Sequence, residues 1–244
     1  MPGLPVRGLG KSWRGQPCAY CPEQAAQGCD HIFARSFFPP EARGNLPQAP
    51  ACDGCAGRKA KLEAELAGAL PFAASHPDAD KLLEFVSKKI AGNARLQRRL
   101  EQQGATINSG DGSIDFTHVD TLEFEGDPLF ALFEMIVRGL YYHHWKLHLS
   151  PEFGVRARAF PRDAALPALD LFTLNAGARV EANLSNGAFL YQGIRTADNP
   201  NASLWRFRIL GGVTLFDTQR ERRKLDEFLV STLRKDFWDK VAAE

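Results

Sequence analysis

Two Cys-x-x-Cys pairs, Cys18-Ala19-Tyr20-Cys21 and Cys52-Asp53-Gly54-Cys55, bracket an early segment of the chain. A CxxC turn brings two thiolates to one tetrahedral ion, and two such turns complete a four-sulfur site. No other feature constrains the fold as strongly, because the bracketed segment is too small to hold itself together by burial. Cys18, Cys21, Cys52 and Cys55 are therefore expected to hold a structural zinc ion. The competing disulfide reading needs an oxidising compartment, and Met1 is followed by Pro-Gly-Leu-Pro-Val-Arg, with no apolar signal core. A cytoplasmic location is expected. The cysteine count is five, an odd number, and Cys29 falls outside both pairs; it is expected to be a buried strand residue beside the site.

Between the pairs lies the dyad Asp30-His31, inside Cys29-Asp-His-Ile-Phe-Ala-Arg-Ser-Phe-Phe38. The apolar residues predict a short strand leading into a loop. Gly44-Asn45-Leu46 reads as a turn, Pro50-Ala51-Cys52 returns the chain to the metal, and Arg58 to Leu66 continues as a helix. The result is a β-hairpin followed by a helix that faces the dyad.

This arrangement resembles the HNH, or ββα-metal, nuclease family in its zinc-stapled form, over about residues 16–66. The marks are the CxYC opening, the Asp30-His31-Ile32-Phe33 strand, the central Asn45, and the second CxxC followed by Lys59. The resemblance implies a metal-dependent endonuclease. His31 would be the general base, since an imidazole titrates near working pH. Asp30 would be a ligand of a catalytic Mg2+ or Mn2+, hard cations that prefer oxygen. Asn45 would hold the loop and orient His31. In the family the residue after the last cysteine is usually Asn or His, the second protein ligand of that ion. Here it is Ala56, whose methyl group cannot coordinate. Either the lineage has lost or moved this ligand, or the position was deliberately substituted to inactivate the site. The intact dyad fits the second account better. By the family's habits the setting is a bacterial one, restriction or anti-phage defence.

Charge agrees with a polyanionic partner. Net charge is only +1, so there is no global basic footprint. Residues 1–62, however, carry eight Lys/Arg against four Asp/Glu. Arg35, Arg43, Arg58, Lys59 and Lys61 are the expected phosphate contacts, with double-stranded DNA the expected partner.

No apolar run reaches membrane-spanning length, and no membrane contact is expected. Asp78 to Gln103 reads as a helix, residues 105–112 as a loop, and Ser113 to Glu125 as strands. A core helix opens at Asp127-Pro128, with Pro at its first turn. It ends near His143, His144 and His148, which are expected to pack rather than bind metal, because no carboxylate completes a zincin pattern. Five strands are predicted at Val155–Phe160, Arg179–Leu184, Ala188–Arg195, Leu204–Ile209 and Val213–Phe216. Turns are expected at Asn186-Gly187, Asp198 to Asn201 and Gly211-Gly212. A final helix is expected over Arg220 to Ala242, with Leu225, Phe228, Leu229, Leu233 and Trp238 inward.

The expected fold class is α+β in three segments. Residues 1–70 form the zinc-stapled module, 71–150 a helical connector, and 151–244 a curved antiparallel sheet with a terminal helix, through which a homodimer can form. Two other functions stay open: a non-catalytic zinc-containing nucleic-acid-binding protein, and a structural zinc domain in which His31 is a bystander.

Overall fold

The computed structural model of the chain describes residues 13–74, 76, 77, 79, 94–102, 106, 107, 114, 115, 126–160, 167–175, 178–216, 222–225 and 227–236. It is a mixed α+β protein with antiparallel sheets. Strands β1 (Gly28–His31) and β2 (Gln48–Ala51) pair antiparallel, with Asp30 opposite Ala49 and His31 opposite Gln48. Helix α1 follows at Asp53–Ala69, with Cys52 as its N-cap: the Cys52 sulfur accepts the Cys55 backbone N–H at 3.4 Å. A thiolate there is also favoured by the positive end of the helix dipole. The outward carbonyls of β2 are both used, because Ala19 N–H donates to Pro50 O at 2.9 Å and His143 Nδ1 donates to Gln48 O at 3.3 Å. The CxxC turn therefore covers the free edge of the hairpin.

Helices α2 (Ala94–Gln102) and α3 (Gly126–Trp145) and the short ladder of β3 (Thr106–Ile107) with β4 (Ile114–Asp115) come next. Residues 106 and 107 were expected in a loop; they pair instead. The rest of the expected Asp78–Gln103 helix before Ala94, apart from residue 79, lies outside the described residues, as does most of Ser113–Glu125. In α3, Leu129, Leu132, Phe133, Ile136, Val137, Leu140 and Tyr141 are all buried, at the i, i+3, i+4 spacing of an apolar stripe. Gly139 lies on the side facing the hairpin, where an added Cβ would meet Ile32 at 3.0 Å and Tyr20 at 3.3 Å. A glycine is what lets this helix approach the metal-binding turn so closely.

The main sheet has five antiparallel strands in the order β5-β11-β8-β7-β6. They are β5 (Phe153–Phe160), β6 (Val180–Leu184), β7 (Phe189–Arg195), β8 (Ser203–Ile209) and β11 (Glu227–Arg234). Helix α4 (Pro167–Leu174) packs on β7, and β9 (Val213–Phe216) pairs with β10 (Arg222–Leu225) in a separate ladder. The expected turns match. Ser185, Asn186 and Gly187 have φ of 51°, 50° and 95°, and Gly211 and Gly212 have φ of 76° and 111°. Gly193 sits against the Trp205 ring, where a Cβ would lie 2.4 Å from ring carbons.

The expected final helix is a correction. Apart from residues 235 and 236, its described part is strand: β11 runs up the middle of the sheet between β5 and β8. Phe228, Val230 and Thr232 point inward and Leu229, Ser231 and Leu233 point outward, a period of two. The 225/228/229/233 spacing also matches a helix, and the ladders on both sides of β11 decide between them. Trp238 lies outside the described residues.

The three expected segments share one core. Ile32, Phe33, Phe37 and Phe38 belong to the same buried cluster as the α3 stripe and as Phe189, Tyr191, Trp205, Phe207 and Phe228. Phe33, two residues after His31, meets Phe189 at 5.1 Å and Tyr191 at 5.6 Å, while Phe133 of α3 meets Phe228 at 4.7 Å. The inner face of the sheet thus supports the hairpin that carries the dyad. Among the described residues no helix is long and apolar enough to cross a membrane.

Candidate functional site

The four expected cysteines converge. The sulfur atoms of Cys18, Cys21, Cys52 and Cys55 all lie within 4.8 Å of one another, with Cys21 and Cys55 at 3.2 Å and Cys21 and Cys52 at 3.5 Å. A tetrahedral ion holding four thiolates at about 2.3 Å sets their sulfurs about 3.8 Å apart, so the cluster is positioned to bind a metal ion. Tyr20, Ala51 and Met135 pack around it. Burial pushes the Cys21 thiol up to about 11 and raises Cys55 further still, so a metal must displace protons to bind. Cys29 is a free, half-buried thiol on β1 opposite Pro50 and stands outside the group.

Asp30 and His31 occupy the last two positions of β1 and face different elements, as strand alternation requires. Asp30 looks toward α1. Its Oδ2 accepts the Tyr20 hydroxyl at 2.7 Å and the Lys59 ammonium at 3.0 Å. No partner is found for its Oδ1 among the described residues, and the side chain is 21% exposed. His31 looks toward β2, where Gln48 Nε2 donates to its Nε2 at 3.0 Å, leaving the proton of the neutral ring on Nδ1. Burial first, then the charges of Arg35 and Lys59, hold the His31 pKa below 6.5 against the opposing pull of Asp30. The ring is therefore neutral at physiological pH.

Lys59 departs from the expectation of a phosphate contact. It is 0% exposed, and its three ammonium hydrogens are matched by Asp30, the His31 carbonyl at 2.6 Å, and Glu63, one helical turn on. Its charge is neutralised inside the protein. Burial pushes the Glu63 carboxyl up to about 7, with the Lys59 charge opposing. Replacing Lys59 with Met leaves Asp30 and Glu63 facing each other without a counter-ion. Loss of one partner of a buried pair costs about 3–5 kcal/mol, so Lys59→Met is expected to lower the unfolding free energy extrapolated from urea titration by that much. Unchanged stability would show that the buried ammonium is not what holds these carboxylates.

Two further residues are corrected. Arg43 is half-buried and donates to the Phe38 carbonyl at 2.9 Å, holding the loop after β1 in place of a phosphate. Asn45 is exposed in the turn before β2 and has no hydrogen bond to His31. Gln48 is the residue that orients the imidazole, because the register sets it directly opposite. Arg35, Arg58 and Lys61 are exposed, as a phosphate-contacting role requires. Ala56 is half-buried against the cysteine cluster. It lies with Cys52, Lys59 and Glu63 on one stripe of α1, since i, i+4, i+7 and i+11 share a helix face.

Tyr20, Gln48, Glu63 and His143 were not anticipated as parts of this site. Glu63 carried a local signal, four residues after a lysine on a helix. Gln48 follows only from strand register, and His143 only from how α3 packs on β2. The other two histidines pack as expected: His144 Nε2 meets the Tyr191 hydroxyl at 2.9 Å, and His148 lies tilted against the Tyr142 ring at 5.2 Å. Comparison of the chain with protein-family models, with curated proteins and with solved structures gives no match.

Proposed function

We propose that this chain is an HNH-type (ββα-metal) endonuclease acting on DNA, with a structural zinc ion on Cys18, Cys21, Cys52 and Cys55. The observation that carries the reading is the dyad itself: a half-buried neutral imidazole and a carboxylate at consecutive positions at the end of β1, on a hairpin held between a four-cysteine cluster and a facing helix. Phosphodiester hydrolysis needs a base to take a proton from water; His31 is held neutral, and its Nε2 lone pair becomes available for that proton once the Gln48 amide turns away. Asp30 would hold a divalent ion through Oδ1, whose chemistry is to neutralise charge developing on the phosphoryl group. Arg35, Arg58 and Lys61 supply exposed positive charge for the backbone of the duplex. Restriction or defence against phage is the setting this reading favours.

A specific observation favours a second reading, a zinc-containing nucleic-acid binder without catalysis. Asp30 is already bridged to an internal cation, and Ala56 offers no donor for a metal. Both readings predict duplex binding that weakens linearly on a log-log salt plot. They part on cleavage. With Mg2+ or Mn2+, the chain as written is expected to bind duplex DNA and to nick supercoiled plasmid slowly, and His31→Ala should remove that nicking while leaving binding intact. Absence of binding at low salt would exclude both readings; nicking that survives His31→Ala would remove the dyad from the chemistry.

A further inference from the structure

In an antiparallel ladder, directly opposed residues project to the same face. Phe189, Tyr191, Trp205, Phe207, Phe228 and Val230 fill the inner face of the five-stranded sheet and are buried. The alternate positions form an outer face, turned away from α3 and from the hairpin that carries Asp30 and His31. On it, Arg158 of β5 lies opposite Leu229 of β11, which lies opposite Arg206 of β8. Arg156 and Arg208 stand two residues along the same two strands. A shallow depression of about 360 Å³ opens beside Arg206, Arg208 and the neighbouring Glu227.

The charges on this face do not cancel. Glu227 is fully buried and accepts from both Arg206 and Arg208. Burial alone would raise its pKa, but those two guanidiniums hold it below the usual carboxylate value. One carboxylate thus fixes two arginines in place and leaves one positive charge over. Arg179 and Glu181 pair at 2.9 Å and offset each other. Arg156 and Arg158 are exposed and make no ion pair among the described residues. Among the described residues of this face, five arginines against two glutamates leave an excess of three positive charges. A merely solvated face carries interspersed charges of both signs.

We propose that this outer face is a second duplex-DNA surface, which grips the sugar-phosphate backbone through Arg156 and Arg158 beside the fixed pair Arg206 and Arg208. The proposal rests on the reading of the chain as a DNA-acting protein and adds to it an anchoring contact remote from the dyad. Residues two apart on a strand are separated by about 6.7 Å, and strands two apart by about 9.6 Å; Arg158 and Arg206 share one row, with Arg156 one step to one side of it and Arg208 one step to the other, a staggered grid on one side of the sheet. A polyanion with one charge per about 1.7 Å of axis satisfies such a grid wherever it lands. The occupant is duplex rather than single-stranded because platforms for single strands stack bases on aromatic rings. Among the described residues of this sheet no aromatic side chain is exposed; the outward positions between the arginines are aliphatic or amide, such as Leu190, Leu204, Leu229 and Gln192.

The test uses the full zinc-loaded chain, a labelled 20-base-pair duplex (about two helical turns) and fluorescence anisotropy across a sodium chloride series. Arg156→Glu with Arg158→Glu is compared with the parent and with Arg58→Ala plus Lys61→Ala. Each phosphate contact contributes about 0.9 to the log-log salt slope. The Arg156/Arg158 variant should lose about 1.8 of that slope and bind at least tenfold more weakly at about 50 mM salt. If the charge reversals prevent folding, Arg156→Gln with Arg158→Gln should show the same loss of slope. An unchanged slope in a folded variant, while the Arg58/Lys61 variant loses its share, overturns the outer face and leaves the DNA reading standing. A parent that binds no duplex at low salt overturns both. A larger loss for the single strand of the same sequence than for the duplex overturns the assignment of the occupant.

Discussion

Stripping the metal, or replacing Cys52 with Ser, is expected to unfold the segment from Trp13 to Cys55 and to lower the melting temperature of the whole chain by at least about 10 °C. The apolar material local to the cluster is slight: Cys18, Tyr20, Ala51, Cys52, Cys55 and Met135. Metal binding must therefore supply most of the local stability, and for structural tetrathiolate sites that free energy is on the order of 10 kcal/mol. Whole domains are stable by only about 5–15 kcal/mol. The effect should reach beyond the segment, because Ile32, Phe33, Phe37 and Phe38 lie in the core shared with α3 and the main sheet. Cys52→Ser removes one metal ligand while its hydroxyl can still cap α1, so the change reports on the metal and not on the cap. The raised thiol pKa values add a direction: binding releases protons, so chelator should strip the ion more readily at pH 6 than at pH 8. Elemental analysis should find one zinc per chain, and calorimetry of Cys52→Ser should show the loss. A metal-free chain with an unchanged melt would sink the prediction.

The hairpin and α1 were legible because covalent spacing dictates them: four cysteines that must meet leave the intervening chain little choice. The β6–β7 turn was legible because Asn186-Gly187 tolerates positive φ, and it is found there. Other features needed three dimensions. Lys59 sits between Arg58 and Lys61 in a run that reads as a basic solvated face, and nothing local distinguishes it. Only the packing of α1 on the hairpin puts Asp30, the His31 carbonyl and Glu63 around its ammonium. Asn45 was expected to support His31, and Gln48 meets it instead because of strand register, which the turn length alone left unspecified. β11 failed for another reason. Its apolar residues satisfy periods of 2 and 3.6 at once, and pairing with both β5 and β8 overrides local propensity.

Ala56→Asn is expected to raise Mg2+- or Mn2+-dependent cleavage of duplex DNA by at least about a hundredfold, and His31→Ala in that background to abolish it. The argument begins from Asp30. One of its oxygens is taken by Tyr20 and Lys59, so it has a single oxygen to offer an incoming ion. Mg2+ accepts little departure from octahedral geometry and is held poorly by one protein ligand. Misplacement by about 1 Å is enough to cost a hundredfold in rate. Position 56 shares the α1 stripe that carries Lys59 to Asp30, so an amide oxygen introduced there projects from the facing helix. The pH profile supplies an independent check on the base. His31 acts in its neutral form, and burial with Arg35 and Lys59 holds its pKa below 6.5. The rate should therefore rise with pH and reach its plateau at a lower pH than an unperturbed imidazole would give. Gln48→Ala should change the rate without altering the dependence on metal concentration, because Gln48 touches the imidazole and not the carboxylate. Robust cleavage by the unaltered chain would mean that another residue supplies the ligand. An Ala56→Asn protein that folds, binds duplex DNA and stays inert with both metals would favour the binding module over the enzyme.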